Sequence, residues 1–129
     1  MFRNTNLMTL TAPVKDATRR SIDLDSLLVQ HPQSTIFRHL KSSSMTGAFI
    51  PDGAFLIIDT AIEPKNSDIV LAEVNGKCIV RFLKKNRYTS WLCNASTQYQ
   101  EIKITPKSKI VIRGVVTYII STPQRDTHL

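Results

Sequence analysis

The feature that most constrains the fold of this chain is the dipeptide Asn75-Gly76, which separates two runs rich in β-forming residues. The runs cover residues 68–74 and 77–83. A two-residue type I′ turn needs positive φ at both central positions, and Asn followed by Gly adopts this geometry best. The pattern therefore predicts a β-hairpin over residues 68–83.

The remainder of the chain also favours strands over helices. Further strands are predicted at residues 34–40, 54–59, 88–93, 101–104 and 109–120. The last of these contains Gly114, where a bend is expected. Turns are predicted at residues 51–53, where the sequence is Pro-Asp-Gly, and at residues 63–67. About seven strands joined only by turns predict an antiparallel, curled sheet.

One short helix is predicted within residues 21–30, where apolar residues at 24, 27 and 28 follow a helical period. Asp23 is placed to cap its N-terminus, and His31-Pro32 ends it because the residue before proline disfavours the α region. A helix this short is expected to need the sheet for packing.

The length of 129 residues fits one domain. We expect a weakly ordered N-terminal arm at residues 1–20, a mostly β domain at residues 21–121 and a polar tail at residues 122–129. No apolar run is long enough to cross a bilayer, and residues 1–8 lack the apolar block of a secretory signal. These features predict a cytoplasmic protein with no membrane association, and they suit Cys78 and Cys93 as free thiols.

The formal net charge of +7 would favour nucleic acid or an acidic partner, but the basic residues are spread along the chain. Dispersed lysines are more often a solvated surface, so direct binding of nucleic acid is left open. Trp91, Phe82 and Tyr88 could stack on bases, although core packing is the commoner role of aromatic residues. His31 and the other two histidines, at 39 and 128, lack metal-ligand spacing, and no cofactor or metal site is predicted.

Ser44 is the candidate nucleophile, because it stands in a hydroxyl-rich turn immediately before the strand at residues 54–59. The same residues also suit an ordinary turn, in which serine hydroxyls bond the local backbone. A triad of Ser44 with His39 and either Asp52 or Asp59 is compatible with chain order, although nothing shows that His39 turns back toward the serine.

Several separated segments resemble the C-terminal domain of the LexA/UmuD family over residues 21–121. They are Ser44-Met45, Asp52-Gly53, residues 55–59, residues 68–72, the Asn75-Gly76 hairpin and residues 114–116. Residues 21–32 resemble the UmuD branch in particular, and so does the lack of room for an N-terminal winged helix.

The resemblance implies a curled antiparallel fold, a homodimer, and a serine–lysine dyad that cleaves its own arm on a RecA–ssDNA filament. In the UmuD branch, the trimmed dimer then joins a UmuC-like DNA polymerase that copies damaged DNA. Ser44 occupies the position of the family's serine. The family's lysine lies in a Val-Lys-x-Leu pattern, and here Arg81 takes its place.

Arg81 is the main departure from the family pattern. A neutral lysine can take the proton of a serine, whereas a guanidinium stays protonated in proteins. Lys84 and Lys85 are poorly placed to replace the family's lysine. Alternation along the strand turns Lys84 to the other face, and Lys85 lies too far along the strand. Residues 1–20 also lack the Cys-Gly or Ala-Gly bond that the family cleaves, and by length the arm starts close to the family's cut.

Three hypotheses follow from the resemblance. The first is an accessory subunit that is like processed UmuD, has lost self-cleavage and works with a translesion polymerase in the SOS response. The second is an active serine peptidase that uses Ser44 with another base. The third is a competitor that forms mixed dimers with a UmuD-like subunit of its host.

Overall fold

The computed structural model describes residues 21–123, and these residues form a mostly β structure with one short α-helix. The fold class predicted from the sequence is confirmed. The helix, α1, covers Leu24–Leu28, and a 3-10 turn follows at Pro32–Ser34. The strands are β1 (Thr35–His39), β2 (Phe55–Asp59), β3 (Ile69–Val74), β4 (Lys77–Lys85), β5 (Ser90–Cys93), β6 (Glu101–Ile104) and β7 (Ile110–Ile120). The predicted arm and most of the predicted tail lie outside the described residues.

The β3–β4 hairpin has the geometry that its turn residues predict. Asn75 has φ 52° and Gly76 has φ 84°, so both central positions lie in the left-handed region. Val74 pairs directly with Lys77 across this two-residue turn. The hairpin predicted from Asn75-Gly76 is therefore confirmed, and β4 runs two residues beyond the predicted end at residue 83.

All pairings in the sheet are antiparallel, and the strand order is β1-β2-β7-β3-β4-β5-β6. The C-terminal strand β7 lies inside the sheet, where its second half pairs with β2 and its first half pairs with β3. It therefore links the pair β1–β2 to the strands β3–β6.

Strand β7 is irregular next to Gly114, as the sequence predicts. Leu71 pairs with Gly114 while Ala72 pairs with Ile112, which leaves one extra residue on β7. A Cβ atom on Gly114 would lie 2.7 Å from Ile58 Cγ2 and 3.0 Å from the Asp59 carbonyl oxygen. Glycine is needed here because β2 approaches the backbone of β7 too closely for a side chain.

The buried residues form two hydrophobic clusters. The first joins the Ser44 turn to the sheet and contains Leu40, Met45, Ile50, Ala54, Leu56, Ile58, Leu71 and Val80. The second contains Val70, Ala72, Leu83, Leu92 and Val115. Because Met45 and Ile50 are completely buried in the first cluster, the turn that carries Ser44 is part of the core and not a peripheral loop.

The helix differs from the prediction in its length and its packing. Asp23 caps it as expected, since the Asp23 carboxylate accepts a 3.3 Å hydrogen bond from the Ser26 backbone N–H. However, Leu24 is 56% exposed and Leu27 is 64% exposed. The expectation that the sheet covers the apolar stripe is wrong for these two leucines, and no residue of the helix is buried. No helix in residues 21–123 is long and apolar enough to span a bilayer.

A buried carboxylate ties the segment after α1 to the end of β2. Asp59 is 2% exposed, and one of its oxygens lies 2.5 Å from His31 Nδ1. The other accepts a 2.8 Å hydrogen bond from the Ala61 backbone N–H. The hydrogen bond with His31 is the main cause that lowers the pKa of Asp59, although burial acts in the opposite direction.

We expect Asp59→Ala to lower the free energy of unfolding by about 1–3 kcal/mol, because it removes the hydrogen bonds that the buried carboxylate forms with His31 and with the Ala61 N–H. Since the pKa of Asp59 is lowered in the folded state, its contribution is present above the ordinary aspartate pKa and is lost as the pH falls through the lowered value. Denaturant unfolding at neutral and acid pH measures both effects. Asp52→Ala, at an exposed position, is the control, and an equal loss in both variants would contradict this role of Asp59.

Candidate functional site

The Ser44 turn is fixed on both sides by backbone hydrogen bonds to the loop after β5. The Ala95 N–H donates to the Ser44 carbonyl oxygen at 2.8 Å, and the Gly47 N–H donates to the Ala95 carbonyl oxygen at 2.5 Å. Gly47 permits this approach, because a Cβ there would collide with the Ala95 carbonyl. With the Met45 side chain buried in the core, the position of the serine is strongly constrained.

Ser44 and Arg81, the two site residues predicted from the sequence, are brought together by the fold. The Arg81 guanidinium Nη1 donates a 2.8 Å hydrogen bond to Ser44 Oγ, although the two residues are 37 positions apart. The same nitrogen donates to the Val80 carbonyl oxygen at 2.8 Å, which holds the guanidinium in place. The side chain of residue 81 therefore reaches the serine hydroxyl directly.

The electrostatics of this contact differ from those of a serine–lysine dyad. Partial burial lowers the pKa of Arg81, because a charged group is less stable away from water. The guanidinium nevertheless remains protonated at neutral pH. Arg81 can donate hydrogen bonds to Ser44 Oγ and hold a positive charge there, but it cannot accept the proton that a nucleophilic serine must lose.

Ser42 is a member of the site that sequence reasoning missed. Its Oγ lies 2.8 Å from Ser44 Oγ and accepts a 3.1 Å hydrogen bond from the Ser44 backbone N–H. The serine at 42 therefore shapes the turn and gives the Ser44 hydroxyl a neutral partner. The run of three serines at 42–44 was the available signal, but it does not show which hydroxyl faces Ser44.

The proposed triad is not assembled. His39 Nε2 lies 3.1 Å from the Gly53 carbonyl oxygen, and the ring stacks on Phe55 with centroids 4.5 Å apart. Asp59 is engaged with His31 instead. Chain order allows His39 to act on Ser44 with Asp52 or Asp59, but the imidazole does not turn back toward the serine and is held toward the neighbouring strand.

The two lysines that follow Arg81 on β4 are engaged elsewhere, as strand geometry predicts. Lys84 Nζ donates to the Tyr99 hydroxyl at 3.3 Å, and Lys85 Nζ donates to the Pro64 carbonyl oxygen at 3.2 Å. Neither is hydrogen-bonded to Ser44.

A groove of about 420 Å³ lies beside the Ser44–Arg81 pair. Its basic lining residues are Arg38, Lys41, Lys77 and Arg81, together with His39. Its apolar lining residues are Leu40, Leu56, Leu71, Ile79 and Val80, and Ser42 and Cys78 complete it. None of the lining residues is acidic. The four Lys and Arg side chains of the groove form no salt bridge with any residue in the range 21–123.

One side of this groove is an open strand edge. Strand β4 pairs with β3 over residues 77–82, but its pairing with β5 begins only at Phe82. In the described part of the chain, no strand pairs with the other edge of β4 over residues 77–81. The groove therefore offers backbone donors and acceptors, an apolar floor and a positively charged rim, which together suit an extended peptide.

The described residues contain no group of three or more His, Cys, Asp or Glu side chains that could hold a metal ion. His128 lies outside the described residues. Cys93 is buried and Cys78 is exposed on the groove, and both are free thiols.

Comparison with known proteins assigns this arrangement to a family. Residues 8–117 match the Peptidase S24-like family. The chain belongs to this family. It is 31% identical over 110 residues to Protein ImpA of Salmonella typhimurium, which covers 84% of this chain and 74% of the relative. It is 28% identical over 108 residues to Protein MucA of Escherichia coli, covering 83% of this chain and 73% of the relative.

A third relative is the LexA repressor of Alcanivorax borkumensis, 28% identical over 97 residues. This match covers 75% of the present chain but 46% of the repressor. The resemblance to the LexA/UmuD family is therefore confirmed at the level of the family.

The Ser44–Arg81 contact predicts that Ser44 reacts slowly with a fluorophosphonate probe, and that the rate shows no rise with pH while Arg81 stays protonated. In Arg81→Lys, the rate should increase on the order of 100-fold as the pH rises and the partly buried lysine becomes neutral. Labelling kinetics followed by intact mass measure this. Ser44→Ala is the control for labelling at other hydroxyls.

Rapid labelling of Ser44 in the wild type would contradict the assignment of Arg81 as the disabling residue. Equal rates in wild type and Arg81→Lys at high pH would contradict it as well.

Proposed function

We propose that this protein is an accessory subunit similar to processed UmuD. It supports an error-prone UmuC-like polymerase during translesion synthesis in the SOS response. It acts in the cytoplasm and does not cleave itself. One observation carries the loss of cleavage: Arg81 Nη1 donates to Ser44 Oγ at 2.8 Å, where the family chemistry needs a proton acceptor. The fold and the serine turn are retained, which fits a protein whose surfaces matter more than its chemistry.

The charge of the groove supports the same proposal. The groove is lined by four Lys or Arg side chains and no carboxylate. The segment at residues 1–20 contains four Lys or Arg residues and a single Asp. Like charges on a peptide and on its binding groove oppose docking, so the groove is poorly suited to this chain's own N-terminal segment.

Exposed apolar side chains support a role in protein association. The register places Phe37 and Tyr118 on one face of the sheet, on either side of the buried Ile57, and the next row holds His39, Phe55 and Ile120. Phe37 is 61% exposed and Tyr118 is 41% exposed. Contiguous exposed apolar residues are typical of protein interfaces, and we propose that a homodimer and the polymerase use such surfaces.

The loss of cleavage predicts the behaviour of three variants on RecA–ssDNA filaments. Wild type should stay intact because Arg81 cannot act as a base for Ser44, and Ser44→Ala should stay intact because it lacks the hydroxyl. Arg81→Lys restores the residue type that can act as base, and truncation of this variant would show that the remainder of the site still works. Intact mass spectrometry after incubation measures the outcome. Truncation of wild type that Ser44→Ala abolishes would overturn the proposal.

The accessory role predicts a stable complex with a UmuC-like polymerase. The wild type, Ser44→Ala and Arg81→Lys should all co-purify with the polymerase to the same extent when tagged and expressed together, because the proposed role uses surfaces and not the hydroxyl. Size-exclusion chromatography with subunit quantification measures this. An absence of complex with a polymerase from the same cell would refute the accessory role even if cleavage is absent.

One observation favours the alternative of an active peptidase. Lys41 and Lys77 line the groove beside Ser44, and either amine could act as base if the groove closed around a substrate. In that case Lys41→Ala or Lys77→Ala would abolish wild-type truncation, whereas Arg81→Lys would leave it unchanged.

A further inference from the structure

The basic excess of the chain is concentrated in one segment. Residues 84–109 contain six Lys or Arg residues and a single Glu, so this segment accounts for a net charge of +5 out of +7. All six cations are exposed: Lys84, Lys85, Arg87, Lys103, Lys107 and Lys109. Most of the basic excess is therefore carried by exposed side chains of this one segment.

The fold makes this segment continuous in space. Strands β4, β5 and β6 are adjacent at one end of the sheet, and β6 is the terminal strand. Lys84 pairs with Trp91, and Trp91 pairs with Lys103. Directly paired residues point to the same face, and strands lie about 4.8 Å apart. The three residues thus form one row across the strands, with a cation on each side of the indole.

Aromatic side chains are interleaved with these cations. Trp91 is partly exposed, Tyr88 is 86% exposed and Tyr99 is 53% exposed. Arg87 Cζ lies 5.9 Å from the centre of the Tyr88 ring, and Lys84 Nζ lies 5.6 Å from the centre of the Tyr99 ring. The sequence favours core packing for Trp91 and Tyr88; this is wrong for Tyr88, which lies at the surface, and Trp91 is partly exposed.

Trp91 lines a depression of about 310 Å³. The other lining residues are Asn66, Ser67, Lys84, Lys85, Asn86 and Glu101. Glu101, the one carboxylate of the segment, accepts a 2.8 Å hydrogen bond from the Tyr99 hydroxyl. The depression therefore combines an aromatic wall, two ammonium groups and amide and hydroxyl groups that can bond to a base edge.

We infer that this outer surface of β4, β5 and β6, the basic–aromatic face, binds single-stranded nucleic acid. Lys84 and Lys103 would contact phosphates on either side of a base that stacks on Trp91, and Arg87 with Tyr88 would extend the path. Alternation of cations and aromatic side chains is the arrangement that binds unpaired strands with little sequence preference. The inference goes beyond the proposed function and does not depend on it.

An acidic peptide is the competing ligand for a positive surface, and the side chains present favour nucleic acid over it. A peptide would use the charges alone and leave the aromatic rings without a matching partner. The groove beside Ser44 provides the contrast, because none of its lining residues is Phe, Tyr or Trp. A duplex is also disfavoured, because its bases are already stacked on one another.

The chain contains one tryptophan, so its fluorescence reports directly on position 91. We expect oligothymidylate of about 20 nucleotides to quench this fluorescence. The logarithm of the association constant should fall linearly with the logarithm of the salt concentration between about 50 mM and about 200 mM. The matching duplex should bind at least about tenfold more weakly. The full chain is used throughout.

Two matched pairs of variants test the location. Lys84→Glu/Lys103→Glu should weaken binding at least about tenfold and flatten the salt dependence, whereas Arg38→Glu/Lys77→Glu, with the same change in net charge, should stay within about twofold. Tyr88→Ala should weaken binding about fivefold or more, whereas Phe37→Ala, which also removes an exposed aromatic ring, should not. Thermal melting confirms that each variant is folded.

Three outcomes would overturn the inference. One is the absence of binding at about 50 mM salt, where electrostatic contacts are strongest. A second is equal weakening by both double charge variants, which would mean a general charge effect. A third is that polyglutamate binds as tightly as oligothymidylate and that Lys84→Glu/Lys103→Glu weakens both equally. In that case the face would be a docking surface for an acidic protein.

Discussion

The structure depends on the antiparallel pairing of β7 with β2 along one half and with β3 along the other. Without β7, the sheet would separate into β1–β2 and β3–β6. Ser44 belongs to the segment between β1 and β2, and Arg81 belongs to β4. Strand β7 therefore brings Ser44 to Arg81, and the tight contact of Gly114 with β2 is part of the same constraint.

The site pairs a serine hydroxyl with a basic side chain, and the type of that basic residue limits the chemistry of the pair. The serine turn is anchored to Ala95 and the core, and residue 81 reaches the hydroxyl at hydrogen-bond distance. A partly buried amine can become neutral near physiological pH, whereas a guanidinium keeps its positive charge and donates hydrogen bonds only. Geometry alone would assign a catalytic dyad here, so the type of the basic residue decides the proposed function.

Short sequence patterns predicted local structure, whereas the contacts between residues distant in sequence could not be derived from such patterns. Asn75-Gly76 identified the hairpin because a type I′ turn depends on two residues alone. The pairing of Ser44 with Arg81 was predicted from a family resemblance, since no periodicity relates positions 37 residues apart. Ser42 was missed because neighbouring serines are equivalent in sequence, and the exposure of Leu24 and Leu27 was missed because periodicity indicates a stripe without showing what covers it.

The unpaired edge of β4 has a consequence for self-association. An open strand edge is a template for pairing with the same edge of another copy, which leads to aggregation. Here the edge begins at Lys77 and ends at Arg81, beside a groove that holds two further cations. Two copies that approached through this edge would bring like charges together in a partly desolvated space. The charges that line the groove thus also protect this edge from pairing with a second copy of the chain.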